Sequence, residues 1–315
     1  MIVLALLGVG TPPLATRVPT QADSPLPYEF TQIHMGMAVR LRLYSSTEDQ
    51  ARTAATAAFS RMAELDRMMS DYRPDSELRR LGGAGNSWSI VSPDLFAVLD
   101  RAVAIASATD GAFDPTVGPL VALWRDARQS GQLPERTAID RARQQAGWRH
   151  LHLDPSRLSV RLGRPGMRLD LGGIAKGYII QQGLGAMAAL GVTRALVEAG
   201  GDIVVGDAPP GREGWRIAVG DTDVDLATRA ARLTHAALAT SGPAAQFVDI
   251  AGVKYSHVID PRTGIGLTNH VTAHVIDADA ATADALATAV TVLGPGGLSR
   301  IRSRFPHVAV SVSRQ

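Results

Sequence analysis

The sequence predicts an α+β protein, and three observations predict it. Alternating apolar segments follow one another closely, as at 28–44 and 236–259, in a hairpin-like manner. Segments with helical spacing fall between groups of strands and not after every strand, which argues against a regularly alternating doubly wound sheet. The chain has 315 residues, 45% of them apolar, enough for a sizeable core in one large domain or two closely packed lobes.

The elements follow in order. Residues 28–44 read as strands, with Val39, Leu41 and Leu43 on one face. From Thr47 to Met69, the residues Ala54, Ala58, Met62, Leu65 and Met69 form one helical stripe, and Thr47 suits the N-cap. Residues 70–91, with Pro74 and Gly82-Gly83, read as a loop. Ser92-Pro93 opens a helix to about Ala108, because a proline at the first helical position sacrifices no hydrogen bond. A loop at 109–119 leads to helices near 120–127 and 136–146, then strands near 149–153, 158–162 and 167–170. A helix over 173–190 ends at Gly191. Strands are predicted at 194–199, 202–205, 215–219, 236–241, 246–250, 253–259 and 271–276. A helix at 279–293, a last helix and a strand at 308–312 close the chain.

Composition narrows the function. The net charge is +2, with no Lys/Arg run and no basic-aromatic stripe, so nucleic acid is not an expected partner. The absence of cysteine excludes disulfides, thiolate catalysis and cysteine-ligated zinc. Met1–Gly10 is apolar and is followed by Thr-Pro-Pro-Leu-Ala15, like the core and cleavage site of an export signal without its basic start. We therefore divide the chain into a signal remnant and Pro-rich linker at 1–27 and a single two-lobed domain at 28–315. A periplasmic or exported location is expected, with the cytoplasm as the alternative.

Four stretches carry candidate chemistry. Asp170-Leu-Gly-Gly-Ile-Ala-Lys-Gly-Tyr178 ends a strand and opens a helix, and Lys176 is one of only two lysines among 32 basic residues. A helix N-terminus with glycines can receive a phosphate. The same glycines would equally serve a tight strand-to-helix turn. The stretch matches neither the Walker loop nor the dinucleotide GxGxxG. Thr109–Leu120 is stiffened by Asp114-Pro115 and Gly118-Pro119, and suits either a ligand-lining loop or a rigid connection. In Ser256-His-Val-Ile-Asp-Pro-Arg-Thr-Gly264, His257 precedes a turn at Asp260. Asp284 and Thr288 stand four apart on one helix face, where their oxygens suit a hard cation such as Mg²⁺ or a purely structural pairing.

In this company the chain resembles the ApbE-type FAD:protein FMN transferases from about Met35-Gly36 to the last strand. The resembling stretches are Met35-Gly-Met37, Met69–Leu78, Asp110–Pro119, Asp170–Tyr178, Glu198-Ala-Gly-Gly-Asp202, Thr240-Ser-Gly242, Ser256–Gly264 and Ala283–Thr288. It departs from the family at Met37, where Thr is usual, and at Pro243-Ala-Ala245, where a polar residue and an aromatic are usual.

The resemblance implies a two-lobed α+β architecture with mixed sheets and FAD in a cleft between the lobes. It implies transfer of the FMN half of FAD to a Thr or Ser hydroxyl of an acceptor protein, a membrane-associated one being a candidate, with release of AMP. It implies Mg²⁺ on Asp284, Thr288 and the Gly173 carbonyl, charge from Lys176, and His257 as the group that takes the hydroxyl proton. Met35, Tyr72, Ala112, Phe113, Asp114, Asp170, Lys176 and Ile259 would contact FAD, with Tyr72 stacking on a ring. With water as the nucleophile the same site would be an FAD pyrophosphatase; without turnover it would be an FAD-binding protein.

Overall fold

The computed structural model describes residues 25–218, 231–242 and 247–314. The apolar N-terminal segment, most of the linker and Pro243-Ala-Ala245 lie outside them. β1 (Leu26–His34) and β2 (Met37–Ser45) form the first hairpin. Its turn residues Met35 and Gly36 have φ of 52° and 73°, the left-handed pair that a two-residue hairpin turn needs. α1 (Glu48–Met69) starts where the Thr47 side chain accepts a hydrogen bond from the Gln50 amide, and its predicted apolar stripe is buried.

α2 (Glu77–Gly83) occupies a stretch that the sequence reads as loop. The Ser76 cap and the buried pair Leu78 and Leu81 outweigh the cost of Gly82-Gly83 at the helix end. β3 (Ser89–Ile90) precedes α3 (Pro93–Ala108), which the Ser92 side chain caps as expected. α4 (Gly118–Ser130) begins earlier than predicted, with Pro119 in its first turn, and ends at Gly131 with φ of 68°. α5 (Arg136–Gln145), β4 (Leu151–Asp154) and β5 (Ser159–Leu162) follow. The predicted strand at 167–170 reduces to one isolated bridge between Arg168 and Val117. There the backbones touch directly: a Cβ on Gly118 would lie 2.7 Å from the Arg168 carbonyl oxygen.

The second half contains α6 (Ala175–Ala189), β6 (Ala195–Ala199), β7 (Asp202–Val205), β8 (Trp215–Ile217), β9 (Ala231–Leu233), β10 (Ala236–Ser241), β11 (Phe247–Ile250), β12 (Val253–Ser256), β13 (Ile259–Asp260), β14 (Ile265–Gly266), β15 (Val271–Asp277), α7 (Ala280–Leu293), α8 (Leu298–Arg304) and β16 (Ala309–Arg314). The strand predicted at 253–259 splits around His257. Leu267 spans the break, accepting from the Ser256 amide and donating to the Val258 carbonyl.

Seven strands form the main sheet in the order β1-β2-β6-β7-β10-β15-β16. Among the described residues every ladder is antiparallel, which corrects the expected mixed sheets. Tight turns such as Met35-Gly36 and Gly200-Gly201 join neighbouring strands, and a tight turn can only return the chain antiparallel. One face of the sheet, with Val39, Leu41, Leu43, Val197 and Val275, shares a core with α1, α3, α6 and α7. The other face carries Leu196, Val205 and Leu238 under the antiparallel pair β8 and β9. A separate cluster of Leu120, Trp124, Ile139 and Ile259 joins α4 and α5 to β11–β14.

Candidate active site

α6 and α7 cross with almost no separation. A Cβ on Gly177 would lie 2.1 Å from the Ala280 carbonyl oxygen, and one on Gly173 would lie 2.8 Å from Thr288 Oγ1. The glycines of the motif therefore let the backbone of one helix start approach the side of another. This contact brings Gly173, Lys176, Asp284 and Thr288 together. The Gly177 amide donates to Asp284 Oδ2 at 3.1 Å, so the carboxylate sits on the positive end of α6.

Lys176 lies between two acids. Its ammonium pairs closely with Asp202 and lies 3.9 Å from Asp284 Oδ1. Burial disfavours the ammonium, but Asp284 and Asp202 outweigh that and hold its pKa above the ordinary value. Asp284, 4% exposed, is pushed up to about 7 by burial, against the pull of Lys176 and with the Asp202 charge adding to the rise. Burial likewise raises Asp202, which also accepts from the Thr240 amide at 3.0 Å. Sequence reasoning assigned Asp202 no role. A carboxylate opening the apolar strand Asp-Ile-Val-Val205 was the available signal, since a buried acid needs a partner.

The donor set fits a hard cation. Asp284 offers a carboxylate and Thr288 a hydroxyl one turn later, and the Gly173 backbone lies beside that hydroxyl. Burial is the main cause of the raised Asp284 pKa, and a cation beside the carboxylate would favour its charged form. Among the described residues no group of three or more His, Asp or Glu side chains gathers as a metal site. A cation here would therefore depend on one carboxylate, neutral oxygens and water or substrate.

A second cluster stands at the start of the same motif. Asp170 Oδ1 accepts from the Gly172 amide at 2.9 Å, and its backbone amide donates to the Pro115 carbonyl at 2.8 Å. Arg125 on α4 meets Asp71 and Asp170, and its guanidinium lies over the exposed Tyr72 ring. Burial first, then the Asp71 charge, pushes the Asp170 carboxyl up to about 6. Sequence reasoning gave neither Asp71, within the stretch Met69–Leu78, nor Arg125 a role.

The remaining predicted residues are placed as follows. Phe113 borders Gly173, where a Cβ would lie 3.4 Å from its ring; Ala112 and Phe113 are buried. The Asp114 carboxylate is used within the loop, accepting from the Thr116 amide at 2.8 Å, the Thr116 hydroxyl at 2.6 Å and the Trp148 amide at 3.1 Å. Burial nevertheless raises its pKa. The Met35 amide donates to Asp66 Oδ2 of α1 at 3.0 Å. Ile259 packs in the core with Leu120 and Trp124. His257 is half-buried beside Ser256, whose hydroxyl accepts from the Val258 amide at 3.1 Å. The Trp124 indole donates to the Gly264 carbonyl at 2.9 Å, fixing the turn that follows His257 onto α4.

Known proteins resemble this chain over most of its length. The ApbE family model matches residues 35–312. The chain is 31% identical to the FAD:protein FMN transferase of Treponema pallidum over 302 residues, 89% of this chain and 83% of that one. It is 33% identical to the Vibrio cholerae FAD:protein FMN transferase over 250 residues, 78% and 74% of the two chains. The crystal structure of the ApbE protein from Thermotoga maritima superimposes with a TM-score of 0.82 at 30% identity, covering 92% of this chain and 97% of that one. The Vibrio cholerae flavin transferase ApbE gives 0.78 at 29% identity, covering 91% and 93%. The chain belongs to the ApbE family.

Proposed function

We propose that this protein is an FAD:protein FMN transferase, moving the FMN moiety of FAD to a threonine or serine hydroxyl of an acceptor protein. The observation that carries the proposal is the meeting of Gly173, Lys176, Asp284 and Thr288 at the α6–α7 contact, in a chain of the ApbE family. The acceptor oxygen attacks the FMN-side phosphorus of FAD. The bond from that phosphorus to the bridging oxygen breaks, AMP leaves with that oxygen, and the hydroxyl proton passes to a base. Such a displacement needs positioning and charge neutralisation more than covalent participation by the enzyme.

Asp284, Thr288 and the Gly173 carbonyl would hold Mg²⁺, which when bound supplies Lewis-acid charge to phosphate oxygens. Lys176 braces Asp284 and Asp202 and keeps both carboxylates near the motif. His257, half-buried at a break between strands, accepts the hydroxyl proton, for which a neutral imidazole is suited. Tyr72 and Asp170 receive a flat ring and one of its polar edges, and the Met35, Phe113 and Ile259 segments line the substrate. An exported location and a membrane-associated acceptor belong to the same reading, motivated by the apolar Met1–Gly10. Among the described residues no helix is long and apolar enough to cross a membrane.

The test is incubation with FAD, MgCl₂ and an acceptor protein carrying a flavinylation threonine, read by intact mass and in-gel flavin fluorescence. The expected result is an acceptor heavier by one FMN residue and an equivalent of AMP. Free FMN with an unmodified acceptor would identify a pyrophosphatase. Bound FAD without AMP would identify a binding protein.

A further inference from the structure

Arg125 lies outside every motif that the sequence singles out, yet it joins three segments of the site. Its guanidinium nitrogen lies 2.5 Å from Asp71 Oδ2 and 3.5 Å from Asp170 Oδ2. Its Cζ lies 4.0 Å from the centroid of the Tyr72 ring. Tyr72 remains 76% exposed, so the guanidinium supports the ring and leaves most of its surface open. The Arg125 side chain is itself 28% exposed, between carboxylates that are 18% and 13% exposed. Two acids therefore take up its charge, which makes it a poor anchor for a phosphate. Only a planar, multiply donating cation can stack on a ring and reach two carboxylates at once.

We propose that Arg125 is a positioning residue for the substrate, holding the Tyr72 ring as a platform for a flat heteroaromatic group and the Asp170 carboxylate as an acceptor for an N–H at that group's edge. The inference rests on the reading of this site as an FAD site. Arg125 acts on binding and touches no reacting atom. Its neighbour Trp124 is anchored to the Gly264 carbonyl, so the guanidinium is presented from a fixed helix. The flat group is either the isoalloxazine or the adenine of FAD, and the fragments FMN and AMP separate the two.

The experiment measures dissociation constants of FAD, FMN and AMP, and the dependence of FMN transfer on FAD concentration. It compares wild type with Arg125→Ala and Arg125→Lys, each also in a Tyr72→Ala background. Arg125→Ala should weaken FAD binding about five- to thirty-fold and raise KM in step, with kcat within about two-fold of wild type. One fragment, FMN or AMP, should share most of the loss. Arg125→Lys keeps a cation beside Asp71 but not the planar fork, and should weaken FAD about three- to ten-fold. It decides the matter if Arg125→Ala fails to fold. In the Tyr72→Ala background the Arg125 penalty should shrink by at least half on the logarithmic scale. Wild-type affinity in the folded Arg125 variants, tighter binding of FAD, or a penalty undiminished without Tyr72 would overturn the inference. If wild type itself neither binds FAD nor transfers FMN, the FAD reading fails and takes this inference with it. If wild type does both, the Arg125 variants judge the inference alone.

Discussion

Replacing Gly177 by alanine tests whether the α6–α7 contact builds the site. The new methyl carbon would lie 2.1 Å from the Ala280 carbonyl oxygen and 2.6 Å from its carbon. Carbon and oxygen need about 3.3 Å, so the helices must part by on the order of 1 Å. Both obstacles are backbone, which cannot rotate aside. Overpacking of this kind costs about 1–3 kcal/mol. Parting also stretches the Gly177 amide bond to buried Asp284, for about 1–3 kcal/mol more. Alanine's better helix propensity returns about 1 kcal/mol. The net expectation is a loss of about 1–5 kcal/mol, or a melting temperature lower by on the order of 2–15 °C. Gly185 lies exposed on the same helix with nothing within 4 Å of its Cβ position, so Gly185→Ala should be neutral or stabilising by up to about 1 kcal/mol. Thermal and urea unfolding of the two variants, without FAD, provide the comparison. A Gly177→Ala protein that melts with wild type, or two variants that fall together, would refute the argument.

Asp284→Ala should retain FAD binding and lose transfer by about 10²-fold or more, while Thr288→Val, which removes a neutral oxygen, should lose less; full transfer by Asp284→Ala would make the pair structural. His257→Ala should lower kcat by about 10²–10⁴-fold with FAD affinity unchanged, and restoration of the rate by saturating FAD would remove it from the proton pathway. Asp170 provides a pH test. Its folded pKa, about 6, stands above the roughly 3.9 of an unfolded aspartate, so the native state holds the proton more tightly. The associated stability is complete below about pH 4 and is lost as pH rises through about 6. Asp170→Asn should therefore gain on wild type by up to about 3 kcal/mol between acid and pH 8, and an unchanged difference in urea melts would contradict the assignment.

Local signals were readable in the sequence. Thr47 and Ser92 capped the helices expected of them, and the stripe from Ala54 to Met69 is buried. The misread stretches are those where one local signal competed with another. Gly82-Gly83 masked α2 although Leu78 and Leu81 share a buried side, and the apolar run through Ser256 and Ile259 concealed the break at His257. Partners distant in sequence were less legible. Asp284 and Thr288 could be seen as neighbours because one helix turn separates them. The pairing of Lys176 with Asp202, or of Arg125 with Asp71, depends on how separate elements pack, which no spacing rule encodes.

α4 acts as a mechanical reference for the site. Consecutive residues of this helix face two ways: Trp124 grips the turn at Gly264, while Arg125 grips Asp71 and Asp170. A shift of the helix therefore carries both segments with it, and the distance between them is set by the span of one dipeptide. A single residue inserted before Trp124 would turn both side chains by about 100° and break both grips together.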